Sequence, residues 1–218
     1  MFFELLDTIK YSKPKVFILE NVKNIIKHDK GKTYEIIMNE LESLKQYEIY
    51  PCLMNTLDYG IPQQRTRVFF VGIQRKIQRY EFRYPEGIKL ETNIYDYLDE
   101  KVDVKYNRTK QNMRDRMGDK YPTQKNLTYW QTDLCMSRDW IYPIFKDEIT
   151  CITRQSRFYI SKLGRVMTPR EHLRLQGFPD SFKIVVSDSQ AYNQVGNTMT
   201  VDVLVYLMRE IFECCDII

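Results

Sequence analysis

The spacings that would bind a metal are missing from this chain. Its 218 residues include 2 histidines and 5 cysteines. Cys52, Cys135, Cys151, Cys214 and Cys215 make no Cys-x-x-Cys pair, and no His-x-His or Cys-x-x-His spacing occurs, which leaves structural zinc without a ligand set. The thiols therefore read as reduced thiols of an intracellular protein, and His28 and His172 as surface or packing residues. Glycine is scarce too: the 8 glycines never fall two apart, so the chain has no Gly-x-Gly turn of the kind that lets a backbone approach a nucleotide. No stretch approaches the roughly 18 apolar residues of a spanning helix, and the opening residues lack a basic segment followed by a cleavable apolar run. The expectation is a soluble, cytoplasmic chain with no membrane partner. No internal repeat or low-complexity tract is visible.

With 43% hydrophobic residues, the chain can bury one sizeable core, or a core and a small satellite. The net charge of +4 is unevenly spread. Between residues 61 and 83, Arg65, Arg67, Arg75, Lys76, Arg79 and Arg83 face Glu81 alone. Between 101 and 125, Lys101, Lys105, Arg108, Lys110, Arg114, Arg116, Lys120 and Lys125 outnumber Asp103, Asp115 and Asp119. Such clusters suit a polyanion, whose phosphates reward each cation; on charge alone, two solvated faces explain them equally well.

The periodicity predicts an α/β pattern. Phe2, Leu5, Leu6 and Ile9 recur at helical spacing, Pro14 breaks the chain, and Val16–Leu19 suits a buried strand. Thr33 is a candidate cap for a helix whose stripe is Ile37, Leu41 and Leu44. Strands are expected at 48–53 and 68–73, joined by a loop containing Gly60 and Pro62. From about 86 to 148 the pattern fades into a polar, basic, Tyr-rich lobe. Order returns at 149–152, in a helix from Thr168 to Gln176, and in a last helix from Val201 to about Cys214 with Leu204, Leu207, Met208 and Ile211 on one face. The expected organisation is 1–85 as α/β domain, 86–148 as an inserted lobe, and 149–218 as a returning segment with a C-terminal helix.

Four stretches, in order, then carry a resemblance. They are Glu20-Asn21-Val22 after a strand; Gln64-Arg65-Thr66-Arg67 before Val68–Gly72; Arg165-Val166-Met167-Thr168-Pro169-Arg170-Glu171 with Arg174-Leu175-Gln176-Gly177-Phe178-Pro179-Asp180; and Gly196-Asn197-Thr198. Glu-Asn-Val alone is weak, but the Arg-Leu-Gln-Gly-Phe-Pro-Asp block is specific. Together they resemble the C-terminal portion of DNA cytosine carbon-5 methyltransferases. The fold implied is α/β, the C-terminal part of a Rossmann-like methyltransferase sheet with an inserted, irregular target-recognition lobe.

In that family a thiolate adds to cytosine C6 so that C5 can accept a methyl group. Charge builds toward N3, where a carboxylic acid lowers the barrier. The resemblance gives this role to Glu20, and gives Arg67, and more loosely Arg65, the task of holding the flipped base and the adjoining phosphate. Asn197 and Thr198 match cofactor-lining positions, with a helix N-cap as the structural alternative. Gln64 is expected to fix its loop, and Arg165, Thr168, Arg170 and Glu171 to support the recognition lobe. Lys105, Arg108, Lys110 and Arg114 are candidate DNA contacts. In the same lobe Tyr121, Tyr129, Trp130, Trp140 and Tyr142 either stack on DNA or form the lobe's own core.

The departures matter as much. The family's Phe-x-Gly-x-Gly loop and Pro-Cys-Gln nucleophile have no match; Pro51-Cys52-Leu53 follows Glu-Asn-Val and lacks the Gln, so Cys52 reads as a packed thiol. The expected partners are double-stranded DNA, S-adenosylmethionine bound mostly by the missing N-terminal part, and an N-terminal methyltransferase subunit covering the exposed edge of a parallel sheet. By family habit the role is restriction-modification, at the nucleoid. A fragment of a longer enzyme, or a non-catalytic DNA-binding or regulatory remnant, are the alternatives.

Overall fold

The computed structural model describes residues 1–108, 134–137, 140–143, 148–160 and 162–216. In chain order the elements are α1 (Phe2–Ser12), β1 (Val16–Val22), α2 (Lys32–Glu42), β2 (Tyr47–Asn55), β3 (Gln63–Gln64), β4 (Thr66–Gln74), β5 (Leu134–Ser137), β6 (Trp140–Pro143), β7 (Ile149–Thr150), β8 (Tyr159–Ile160), β9 (Arg165–Val166), α3 (Pro169–Arg174), α4 (Asp188–Asn197) and α5 (Val201–Cys214). The chain divides into two compact units, the first comprising Met1–Asn55, Thr66–Gly87 and Val203–Ile218, the second Thr56–Arg65 and Ile88–Asp202.

In the first unit, α1 ends where Lys13 turns left-handed (φ 47) and donates its N–H to the Ile9 carbonyl; Pro14 forbids a further turn. The sheet order is β1-β4-β2, and both pairings are antiparallel. This corrects the parallel sheet expected from the sequence. The short connection after β2 sends β4 back beside it, and β4 lies between β2 and β1. The two outer strands run alike, joined through α2.

Residues paired across strands share a face. Phe17, Tyr47, Val68 and Phe70 on one face are buried with Leu6 and Ile9 of α1 and Ile37, Leu41 and Leu44 around α2. Gly72 is obligatory there, since a Cβ would overlap the Phe17 ring. The Glu20–Phe69–Cys52 and Val22–Arg67–Met54 rows belong to the opposite face. Helix α2 enters through Gly31 at φ 91; Thr33, expected as its cap, instead places its hydroxyl 2.7 Å from His28 Nδ1. Helix α5 buries Val203, Leu207, Ile211 and Cys214, while Leu204 and Met208 of the expected stripe are half-buried.

The second unit is built around Ile61, Ile94, Ile149, Ile152, Phe158, Ile160, Met167, Leu173, Leu175 and Val195. Strand β3 pairs with β7 in parallel, and an antiparallel sheet has the order β6-β5-β8-β9. Thr168 caps α3 reciprocally with Glu171, and Ser187 does the same for α4 with Gln190.

Candidate active site

Glu20 stands near the carboxyl end of β1, where open α/β sheets place their ligands. Register fixes its neighbour: Arg67, at the start of β4, pairs with Val22 and so points to the same face as Glu20. Arg67 Nε lies 2.9 Å from Glu20 Oε1, with the two side chains 16% and 21% exposed. Glu20 Oε1 nonetheless receives no well-angled hydrogen bond. The contact is therefore a close charge pair on a buried carboxylate oxygen. Arg67 is steadied by Nη1 donating to the Thr66 carbonyl.

Arg65, two residues away, behaves differently. It is 4% exposed, and within the second unit its Nη1 donates to the Ile152 carbonyl and its Nη2 to the Thr198 carbonyl, both at 2.8 Å. Asn197 is exposed and Thr198 half-buried. Thr198 is the C-cap of α4, its N–H donating to Val195, so the N-cap alternative is corrected: α5 begins three residues later. Thr198 also borders a largely apolar cleft of about 290 Å³ lined by Leu173, Phe178, Phe182, Ala191 and Val195.

The profile of the C-5 cytosine-specific DNA methylase family matches residues 1–213. The chain belongs to that family. It is 36% identical over 220 residues to the type II methyltransferase M1.ScrFI of Lactococcus lactis subsp. cremoris, covering 98% of this chain and 55% of that relative. To M.HhaI of Haemophilus parahaemolyticus it is 30% identical over 220 residues, 97% of this chain and 67% of the relative. The chain thus spans little more than half the length of the first of these. Among solved structures, the S. pombe Dnmt2 methyltransferase superposes with a TM-score of 0.69 at 18% identity, covering 97% of this chain and 70% of that one, a likeness of fold.

The remaining candidate residues differ in burial and partners. Cys52 donates its S–H to the Leu53 carbonyl, and burial raises its thiol above the usual range, the opposite of an activated thiolate. Lys105 is held by Asp188 at 2.8 Å with both side chains well exposed. Arg108 is half-buried and donates Nη1 to the Lys105 and Asn107 carbonyls; Lys110 and Arg114 lie outside the described residues, as do Tyr121, Tyr129 and Trp130. Glu171 accepts from Arg165 at 2.7 and 2.9 Å and from the Thr168 and Asp99 amides, anchoring α3 to the chain at Asp99.

Gln64 is exposed and reaches Glu148. Its neighbour Gln63, which the motif reading passed over, is fully buried: Oε1 accepts the Ile152 N–H at 2.9 Å and Nε2 donates to the Leu175 carbonyl at 2.8 Å. The alternation of a strand-like Gln-Gln-Arg was the available signal, since it sets Gln63 and Arg65 on the side opposite Gln64. Among the described residues no helix is long and apolar enough to cross a membrane, and no group of three metal-ligating side chains is present.

Proposed function

We propose that this chain supplies the base-holding and target-facing portion of a DNA cytosine carbon-5 methyltransferase. The observation that carries the proposal is the Glu20–Arg67 pair at the carboxyl end of β1. A carboxyl and a guanidinium side by side complement the edge of cytosine, whose N3 and O2 are adjacent. Glu20 hydrogen-bonds or protonates the ring at N3 as charge develops there. Arg67 donates to O2 and holds the base outside the duplex. Thr198, at the rim of an apolar cleft, and the exposed amide of its neighbour Asn197 suit one edge of S-adenosylmethionine. When bound, that cofactor supplies the methyl group.

The 218 residues contain neither a Gly-x-Gly turn nor a Pro-Cys-Gln segment, so a polypeptide segment outside them must supply the thiolate and most of the cofactor site. On this reading the chain alone transfers no methyl group. Residues 1–85 and 149–218 serve the catalytic side and 86–148 the recognition of duplex DNA, with Lys105, Arg108, Lys110 and Arg114 neutralising phosphates.

The test is transfer of labelled methyl to mixed-sequence duplex DNA by this chain, alone and mixed with a polypeptide carrying the Gly-rich loop and Pro-Cys-Gln. We expect activity in the mixture, reduced at least roughly a hundredfold by Glu20→Gln or Arg67→Ala. Activity of the chain alone would return Cys52 to candidacy. DNA binding without transfer in any mixture would favour a non-catalytic remnant.

A further inference from the structure

We infer that Arg65, with Gln63 and Gly196, forms a clamp that positions the Cys151–Arg154 turn and the Thr198 turn, so that Arg65 is a positioning residue and does not touch the flipped base. The parallel pairing of β3 with β7 stops at Thr150. Beyond it, side chains take over the work of the ladder. Ile152 is gripped at both main-chain groups, its N–H by Gln63 Oε1 at 2.9 Å and its carbonyl by Arg65 Nη1 at 2.8 Å.

The second guanidinium nitrogen of Arg65 reaches Thr198 O at 2.8 Å, and Nη1 also lies 3.4 Å from Cys151 Sγ. One planar fork therefore joins two turns 46 residues apart in the chain, at Ile152 and Thr198, a geometry that a single ammonium cannot reproduce. A base that recruited this fork would strip buried carbonyls of their donors, which is costly.

Gly196 closes the clamp from the other side. A Cβ there would overlap the backbone of Thr153 and Arg154, and backbone cannot move aside as a side-chain tip can. Between these grips the turn is tightened by Thr153 N–H donating to Ser156 Oγ at 2.9 Å, and Thr153 and Arg154 are left exposed. The glycine of the Gly-Asn-Thr motif thus serves the 151–154 turn, and its Asn-Thr pair is held in place through Arg65.

Hydrogen exchange on this chain tests the clamp, with Arg65→Lys, Gln63→Leu and Gly196→Ala. We expect exchange in 151–155 to accelerate at least about tenfold in each, 197–199 to follow in Arg65→Lys, and β4 amides to be unchanged. Unaltered exchange in all three variants would overturn the clamp. A second arm rests on the methyltransferase reading. In the complemented enzyme Arg65→Lys should raise KM for DNA about tenfold with kcat within about threefold, whereas Arg67→Ala should lose kcat. A hundredfold loss of kcat in Arg65→Lys with 151–155 protection intact would make Arg65 a base contact and sink the inference. Accelerated exchange in the variants without methyl transfer by the complemented wild type would refute the methyltransferase reading and leave the clamp standing.

Discussion

His172 shows how much a single residue can say about pH. It is fully buried, its Nδ1 is 2.9 Å from the Thr168 carbonyl, and its ring stacks on Phe158 and meets Tyr192 edge-on. Burial lowers its pKa from 6.5 to about 4, against the smaller opposing pull of the Thr168 carbonyl. The fold therefore holds the neutral ring. Above pH 6.5 both folded and unfolded chains carry it neutral, so nothing is lost. As pH falls below 6.5 the unfolded ring takes a proton that the folded one refuses, and stability drains until about pH 4. The drain amounts to at most about 3 kcal/mol. Urea unfolding at pH 7.5 and 5 should show the midpoint fall at the lower pH, and His172→Phe should flatten that interval; an equally steep fall in the variant would acquit His172.

At the scale of elements, α3 hangs on one buried carboxylate. Glu171 is fully buried and Arg165 is 4% exposed, with a two-pronged contact between them and two backbone amides completing the carboxylate's shell. Removing one member of such a pair strands the other's charge. Glu171→Gln should destabilise the chain by roughly 3–5 kcal/mol, measurable by denaturant unfolding, and Arg174→Ala, whose partners Asp99 and Asp180 are partly exposed, by no more than about 1 kcal/mol. Equal losses would mean that burial is not what makes the Glu171 pair matter.

The Thr168–Glu171 box was legible because Thr-Pro-x-Glu is a local pattern. So were α1, β1, β2, β4 and α5, where strong apolar periodicity meets Pro14, Gly60 and Pro62. Helix α4 was missed: its buried residues are Ala191, Tyr192, Val195 and Gly196 among polar neighbours, too faint a stripe, although the Ser187–Gln190 box marked its start. The alternation could turn Gln63 inward but could not name its partners, which lie 89 and 112 residues away. The antiparallel sheet was missed for a related reason: apolar runs such as Val16–Leu19 state that a strand is buried and say nothing of its neighbour's direction.

At the scale of the molecule, β1 is where the proposed complementing segment can be tested. Among the described residues it pairs with β4 and with no other strand, so along Val16–Val22 one side of its backbone is offered to whatever can add a strand. Unlike a naturally blunted edge, this one carries no proline within those residues and a single charge, Glu20. A strand added beside β1 would lie next to the Glu20 row, where the thiolate that the proposed reaction requires has to arrive. Mixing the chain with a polypeptide bearing the Gly-rich loop and Pro-Cys-Gln should therefore slow exchange of the β1 amides while leaving those of β8 and β9 unchanged. By mass action it should also raise the melting midpoint, by about 2–4 °C for each kcal/mol of binding free energy realised. Protection spread evenly over both units, or a rise in midpoint without protection of β1, would place the complementing segment elsewhere.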